Sequence, residues 1–172
     1  MSRLANNQLT WLWLSGLVLA LDLVTKYLAQ QWLEPFQPNE VLPFFNFTLV
    51  FNRGAAFSFL GDASGWQRWF FIGIGLVAVI VIVFWLRRLS AGEKCTAAAL
   101  ALILGGAVGN LVERLWQGQV TDFLDLYYRD WHWPTFNIAD SAISVGIVLF
   151  LLDGVLRTRK RASAATLREN NK

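Results

Sequence analysis

The sequence predicts an all-α membrane protein: a bundle of four transmembrane helices with a small extracytoplasmic β-hairpin, or cradle, and a second outer interfacial loop. Three observations carry this. Of 172 residues, 55% are hydrophobic and only 16% charged, with mean hydropathy +0.42, too apolar for an ordinary soluble domain. Four apolar runs, at 11–32, 66–86, 96–116 and 138–156, match the about 20 residues a helix needs to cross a hydrocarbon core of about 30 Å. Basic residues also alternate between connections. Arg87, Arg88 and Lys94 lie between runs two and three, Arg157, Arg159, Lys160 and Arg161 follow run four, and Arg3 precedes run one. The other connections carry only Arg53, the border residue Arg68, and Arg129.

The positive-inside rule then places both termini and the middle loop in the cytoplasm. Little chain is left over, so a single membrane domain is expected over 1–172. The net charge of +3 comes from these orienting clusters, and the tail at 157–172 is read as touching anionic lipid headgroups. No nucleic-acid partner is needed to explain it.

Run one is too long, and its Asp22 and Lys26 too deep, for a cleavable signal peptide. Each charge costs about 2.5–3.5 kcal/mol at a helix centre. Their spacing of four, acid first, puts them on one face in the favourable order for pairing. One reading is a buried ion pair that sets helix packing; the other is that Lys26 helps organise a polar site.

The outer connection at 34–65 has strand character. Phe45, Phe47, Leu49 and Phe51 alternate with Asn46, Thr48 and Asn52, the period of a strand with one greasy face. Asn52-Arg53-Gly54 breaks the run, and Phe57 and Phe59 resume it around Ser58. This predicts a twisted hairpin with its aromatic face toward lipid, Gly54 supplying a turn or a close backbone approach.

Run two reads as scaffolding, with Gly73 and Gly75 allowing close contact. In run three, Gly105 and Gly109 form a small-xxx-small pair suited to helix packing. A phosphate-cradling loop would need a preceding strand and a Lys-Ser/Thr, both missing. At its outer end Asn110, Glu113 and Arg114 follow in quick succession, Asn110 and Arg114 on one face. The connection at 117–134 mixes aromatic and charged residues as interfacial segments do. Run four opens with Asn137 and Asp140, three apart and so on one helix face.

The polar residues are one-sided. Asn52, Arg53, Asn110, Arg114, Asp122, Asn137 and Asp140 all belong to the outer half. Each has a bland reading: Arg114 pairing with Asp122 or a headgroup, Asn110 and Asn137 as interhelical glue, Asp140 as a helix cap. Together they ring two carboxylates, Asp122 and Asp140, at one membrane surface. Carboxylates a few Å apart share a proton and act as acid and base together, which is aspartic-protease chemistry. Elsewhere, Cys95 reads as a small filler residue, and His132, with no second His or Cys nearby, argues against a zinc site.

The blocks Asp22-Leu-Val-Thr-Lys26, Phe51-Asn-Arg-Gly-Ala-Ala-Phe-Ser-Phe59, Gly105-Gly-Ala-Val-Gly-Asn-Leu-Val-Glu-Arg114, Val120-Thr-Asp-Phe123 and Phe136-Asn-Ile-Ala-Asp-Ser141 resemble, in content and order, the lipoprotein signal peptidase (signal peptidase II) family of bacterial plasma membranes. The resemblance covers about 12–156. It implies an endopeptidase that removes the signal peptide of prolipoproteins before a diacylglyceryl-modified cysteine, with Asp122 and Asp140 as catalytic dyad and no cofactor or metal. It assigns Asn52, Asn110, Arg114 and Asn137 to the polar site, and Asp22 and Lys26 to a first-helix motif; Arg53, from the outer-half polar list, is a further candidate for orienting substrate. The implied setting is the plasma (inner) membrane, with the site near its extracytoplasmic face, membrane lipids as neighbours, and a monomer. Residues 126–134 are read as gating substrate.

Two rival classes fit less well. An ion-coupled transporter would show internal repeats and ionisable groups through to the inner face. A non-enzymatic scaffold would not need the polar ring. A metalloprotease lacks a His-Glu-x-x-His motif.

Overall fold

The computed structural model describes residues 8–54 and 65–169, the side chains of 160–169 excepted. The alternation expected at Phe57 and Phe59 lies outside the described residues. A 3-10 turn, Gln8–Trp11, leads into α1 (Leu12–Trp32), followed by β1 (Pro38–Leu42), β2 (Phe45–Asn52), α2 (Trp66–Arg88), α3 (Lys94–Trp116), β3 (Val120–Tyr128), β4 (Trp131–His132) and α4 (Ile138–Glu169). Four helical stretches, Gln8–Trp32, Trp66–Arg88, Lys94–Trp116 and Ile138–Arg159, are long and apolar enough to cross a membrane. The protein is thus a helical membrane protein with a small antiparallel sheet. α4 runs on through the basic stretch to Glu169, since Arg and Lys are good helix formers and Arg157 pairs back to Asp153 at 2.7 Å, one turn away.

α3 is the central helix, packed by α1, α2 and α4. Glycine permits this. A Cβ on Gly105 would meet the Ser15 carbonyl of α1 at 2.7 Å, and one on Gly106 would collide with the Ala139 carbonyl of α4. Gly146 returns the favour from α4, where a Cβ would lie 2.7 Å from the Ala99 carbonyl. The contact expected at Gly73 is absent: nothing stands within 4 Å, and only Gly75 meets a neighbour, Leu111. Gly73 lies on a face of α2 that packs against no other described element.

Two expectations for the connections are corrected. β2 pairs with β1 along one edge and with β3 along the other, giving one four-stranded sheet in the order β1-β2-β3-β4. The supposedly loop-like connection at 117–134 therefore supplies two strands. The face of β2 also differs from expectation. Asn46 and Thr48 are buried because both donate to the buried Asp125 of β3, at 3.2 and 3.0 Å. Phe47 and Phe51 are half-buried and pack on Ala29, Leu49 and Phe123. A buried carboxylate needs donors, and these polar residues supply them.

The sheet closes one end of the bundle. At that end the exposed Trp32, Trp66, Trp69 and Trp116 mark the termini of α1, α2 and α3, where amphipathic indoles favour a headgroup interface. At the opposite end Thr96 donates to Asp153 at 2.6 Å and Arg157 reaches Glu93 at 3.1 Å, tying α3 to α4.

Candidate active site

Asp140 sits in the first turn of α4, whose opening amides need partners from outside the helix. Asn137 and Asp140 supply them reciprocally. The Asp140 amide donates to Asn137 Oδ1 at 2.9 Å, and the Asn137 amide donates to Asp140 Oδ2 at 3.3 Å. This is a capping box, so the expected capping role of Asp140 is real. A third amide, that of Ala139, donates to Asp22 Oδ1 at 2.8 Å. Asp22 thereby holds the start of α4 against α1.

Asp122 arrives from β3, just past an irregularity in the β2–β3 register between Phe47 and Val50. Its side chain is 2% exposed in residue terms, and each oxygen accepts one amide: Oδ1 from Asn137 Nδ2 at 2.7 Å, Oδ2 from Asn52 Nδ2 at 3.0 Å. No cation is within ion-pair distance of it among the described residues. Burial, and then the charge of Asp140, push its carboxyl up to about 7, while the hydrogen bonds from Asn52 and Asn137 pull the other way.

The asparagines link the two acids. Asn110 Nδ2 donates to Asp140 Oδ1 at 2.8 Å, and Asn110 Oδ1 accepts from Asn137 Nδ2 at 3.3 Å and from Lys26 Nζ at 2.9 Å. Lys26 is 1% exposed and also pairs with Asp22 at 2.7 Å and Glu113 at 3.0 Å. Asp22 and Lys26 thus stand behind the cluster, with Lys26 bonded to its Asn110; neither lines the open cavity.

That cavity, of about 610 Å³, is lined by Asn52, Asn110, Arg114, Asp122 and Asp140 on its polar side. Trp133, Pro134, Phe136, Ile143 and Val145 form apolar wall. Arg114 donates through Nη2 to the Gly54 carbonyl at 2.8 Å and lies over the Phe71 ring at 5.1 Å. It does not form the ion pair with Asp122 that its sequence position allowed. The last turn of α3 is itself held by Arg68, which donates to the Arg114 and Leu115 carbonyls at 2.9 and 2.7 Å. Arg53 stands apart, its Nε 3.4 Å from Gln119 Oε1 at the surface.

Three buried polar residues escaped the sequence reading as site elements: Glu113, Thr121 and Asp125. Glu113 left a signal, an acid three residues from Asn110 inside an apolar run. Thr121 fell inside the 120–123 block without a role of its own, and the burial of Asp125 depends on Asn46 and Thr48 of another strand. Among the described residues no group of three His, Cys, Asp or Glu is placed to hold a metal ion; His132 Nδ1 pairs instead with Asp125 at 2.8 Å.

A family model described as signal peptidase (SPase) II matches residues 14–156. A lipoprotein signal peptidase of Paraburkholderia phytofirmans is 52% identical over 156 residues, 90% of either chain. One of Acinetobacter baylyi is 45% identical over 164 residues, 95% of this chain and 92% of its own. Among solved structures, two described as bacterial membrane enzymes are similar. The first aligns with a TM-score of 0.77 and 31% identity over 87% of this chain and 89% of its own. The second aligns with 0.74 and 30%, over 84% and 91%.

Proposed function

The chain belongs to the signal peptidase II family, and from that premise we propose that Asp122 and Asp140 form the catalytic pair of an aspartic endopeptidase. Membership makes the protein a multi-pass bacterial membrane protease that removes signal peptides from prolipoproteins. The finer reading is that it cuts just before a diacylglyceryl-modified cysteine, using a water activated by the pair. The observation that carries it is the asparagine bridge: Asn137 and Asn110 hold carboxylates from a strand and a helix at the wall of one cavity.

With Asp122 pushed up to about 7, Asp122 is the carboxyl that enters protonated and Asp140 is the base. Asp140 takes a proton from water as the water oxygen attacks the scissile carbonyl carbon. Asp122 hydrogen-bonds the carbonyl oxygen as charge builds there, and a carboxyl of the pair protonates the leaving amine. Arg114, Asn52 and the bridging asparagines orient the pair and the extended peptide backbone, while Ile143 and Val145 offer apolar surface to the lipid-bearing residue. The substrate's acyl chains deliver the bond to the membrane surface, which is why the pair belongs at the sheet end. That end is proposed to face away from the cytoplasm, both termini lying inside, in the plasma (inner) membrane. The active unit is a single-domain monomer in contact with membrane lipids.

The test is processing of a lipid-modified prolipoprotein by purified protein with a metal chelator present. Asp122→Asn and Asp140→Asn should each lower kcat by at least about 10²–10⁴-fold, and the double variant by little more. Near-normal cleavage by either single variant would refute the pair.

A further inference from the structure

The mechanism leaves several buried acids unused, Glu113 among them. Glu113 is 4% exposed, lies on the central helix, and reaches across to β3. Thr121, the residue before Asp122, pairs with Phe51 across the sheet, yet its main-chain groups are satisfied elsewhere. Its amide donates to Glu113 Oε2 at 2.9 Å, and its carbonyl accepts from Asn137 Nδ2 at 3.3 Å. Further along the same edge, the amides of Phe123 and Leu124 are taken by the Phe136 carbonyl. Side chains of α3 and of the head of α4 therefore do at Thr121 what backbone does two residues on.

From this the geometry points to Glu113 as a positioning residue of the reaction: through Thr121 it fixes the piece of β3 that carries Asp122. The inference rests on the Asp122–Asp140 reading and adds to it a residue touching neither acid.

Residue chemistry explains why an acid stands there. Glu113 accepts from the Thr121 amide, from Thr121 Oγ1 at 2.8 Å, and from Lys26 Nζ at 3.0 Å. Only a carboxylate accepts at both oxygens without offering a proton back. An amide in its place would turn an NH2 toward one of these partners, and Thr121 Oγ1 already receives Gln30 Nε2 at 2.6 Å. The shared ammonium also joins two arms. One runs Lys26, Glu113, Thr121 and on to Asp122; the other runs Lys26, Asn110, Asp140. The spacing of the two catalytic carboxylates is thus referred to one buried cation. A misplacement of about 1 Å is worth about 10²-fold in rate, so the tether acts on kcat rather than on binding.

The experiment compares Glu113→Gln, Thr121→Val and their combination with the parent protein, using the lipid-modified prolipoprotein and, in parallel, thermal unfolding in the same detergent. Glu113→Gln should lower kcat by about 10–100-fold and Thr121→Val by about 3–10-fold, both with KM within about 3-fold of the parent. The combination should cost little more than Glu113→Gln alone, because both changes cut one connection. Additive losses, a raised KM with kcat intact, or an activity loss matching the unfolded fraction would overturn the inference. Should Glu113→Gln fail to fold, the near-isosteric Thr121→Val decides, and a normal kcat there overturns it. Asp122→Asn in the same assay separates the two ideas. If that variant cleaves normally, the catalytic pair itself is wrong; if it is dead while the tether variants are normal, only the role of Glu113 falls.

Discussion

Replacing Asp122 by asparagine should change the pH dependence of stability as well as abolish cleavage. The carboxyl rises from its ordinary 3.8 to about 7 in the fold because it is buried and faces Asp140. At about 1.4 kcal/mol for each pH unit, the ionised form is about 4 kcal/mol less favourable folded than unfolded. The sign follows directly. Below the unfolded value both states are protonated and the penalty vanishes; it grows as pH rises toward the folded value and is complete above it. It amounts to about 2 kcal/mol at pH 5 and about 4 kcal/mol at pH 8, so the parent should lose about 2–3 kcal/mol over that interval from this group alone.

Asparagine does not ionise, so the variant escapes this loss. It brings a constant cost of its own, since its NH2 faces one of the two amides that Asp122 accepts, from Asn52 and Asn137. That cost is independent of pH and cancels in a comparison of slopes. For a chain of this size each kcal/mol moves Tm by about 2–4 °C, so the parent's Tm should fall about 5–10 °C further than the variant's between pH 5 and 8. Thermal unfolding of both proteins in one detergent, scanned by tryptophan fluorescence, gives the numbers. Parallel curves would refute the placement of Asp122 as a buried acid without a cation partner, and with it the reason for assigning it the proton.

Lys26→Met should be among the most damaging single changes, destabilising by about 3–5 kcal/mol as Asp22 and Glu113 lose their shared buried cation; the same thermal scan reads it, and a loss under about 1 kcal/mol contradicts the arrangement. Gly106→Val should separate α3 from α4 at the Ala139 carbonyl and abolish both folding and processing, whereas Gly73→Ala, with nothing within 4 Å, should leave processing intact and raise helix stability by up to about 1 kcal/mol. A reporter active only outside the cytoplasm should signal when inserted at residue 62 and stay silent when fused after residue 172, as the basic-residue asymmetry requires. The opposite pattern would put the cavity on the wrong side of the membrane.

Helices were legible because their signal is local. Hydropathy alone marks four runs, and spacing alone puts Asn110 with Arg114, and Asn137 with Asp140, on shared faces. The strands were legible only in part. β2 advertises itself by alternating aromatics, but its pairing does not: β1 is exposed along its whole length, so no alternation records which face it buries. β3 was hidden for a different reason. Thr121, Asp122 and Asp125 interrupt its apolar pattern, and they are tolerated in a buried strand only because Glu113, Asn137, Asn52, Asn46 and Thr48 answer them. Polar residues that are satisfied by partners on other elements look, in sequence, like a loop.

Asn137 shows why such partners have fixed chemistry. Its Oδ1 accepts the Asp140 amide, its Nδ2 donates to Asp122 Oδ1, and its carbonyl accepts from Ser141 Oγ at 2.9 Å. One neutral side chain thus caps the helix that carries one acid and solvates the other. An aspartate could cap the helix equally well but would set a third carboxylate against Asp122 and offer it no proton. A serine could cap as well, but its short hydroxyl makes a single donation where the asparagine NH2 also faces the Asn110 and Thr121 oxygens, both at 3.3 Å. An amide accepts at the helix start and still has two N–H groups to donate across to the strand, so the two scaffolds meet at a side chain that serves both.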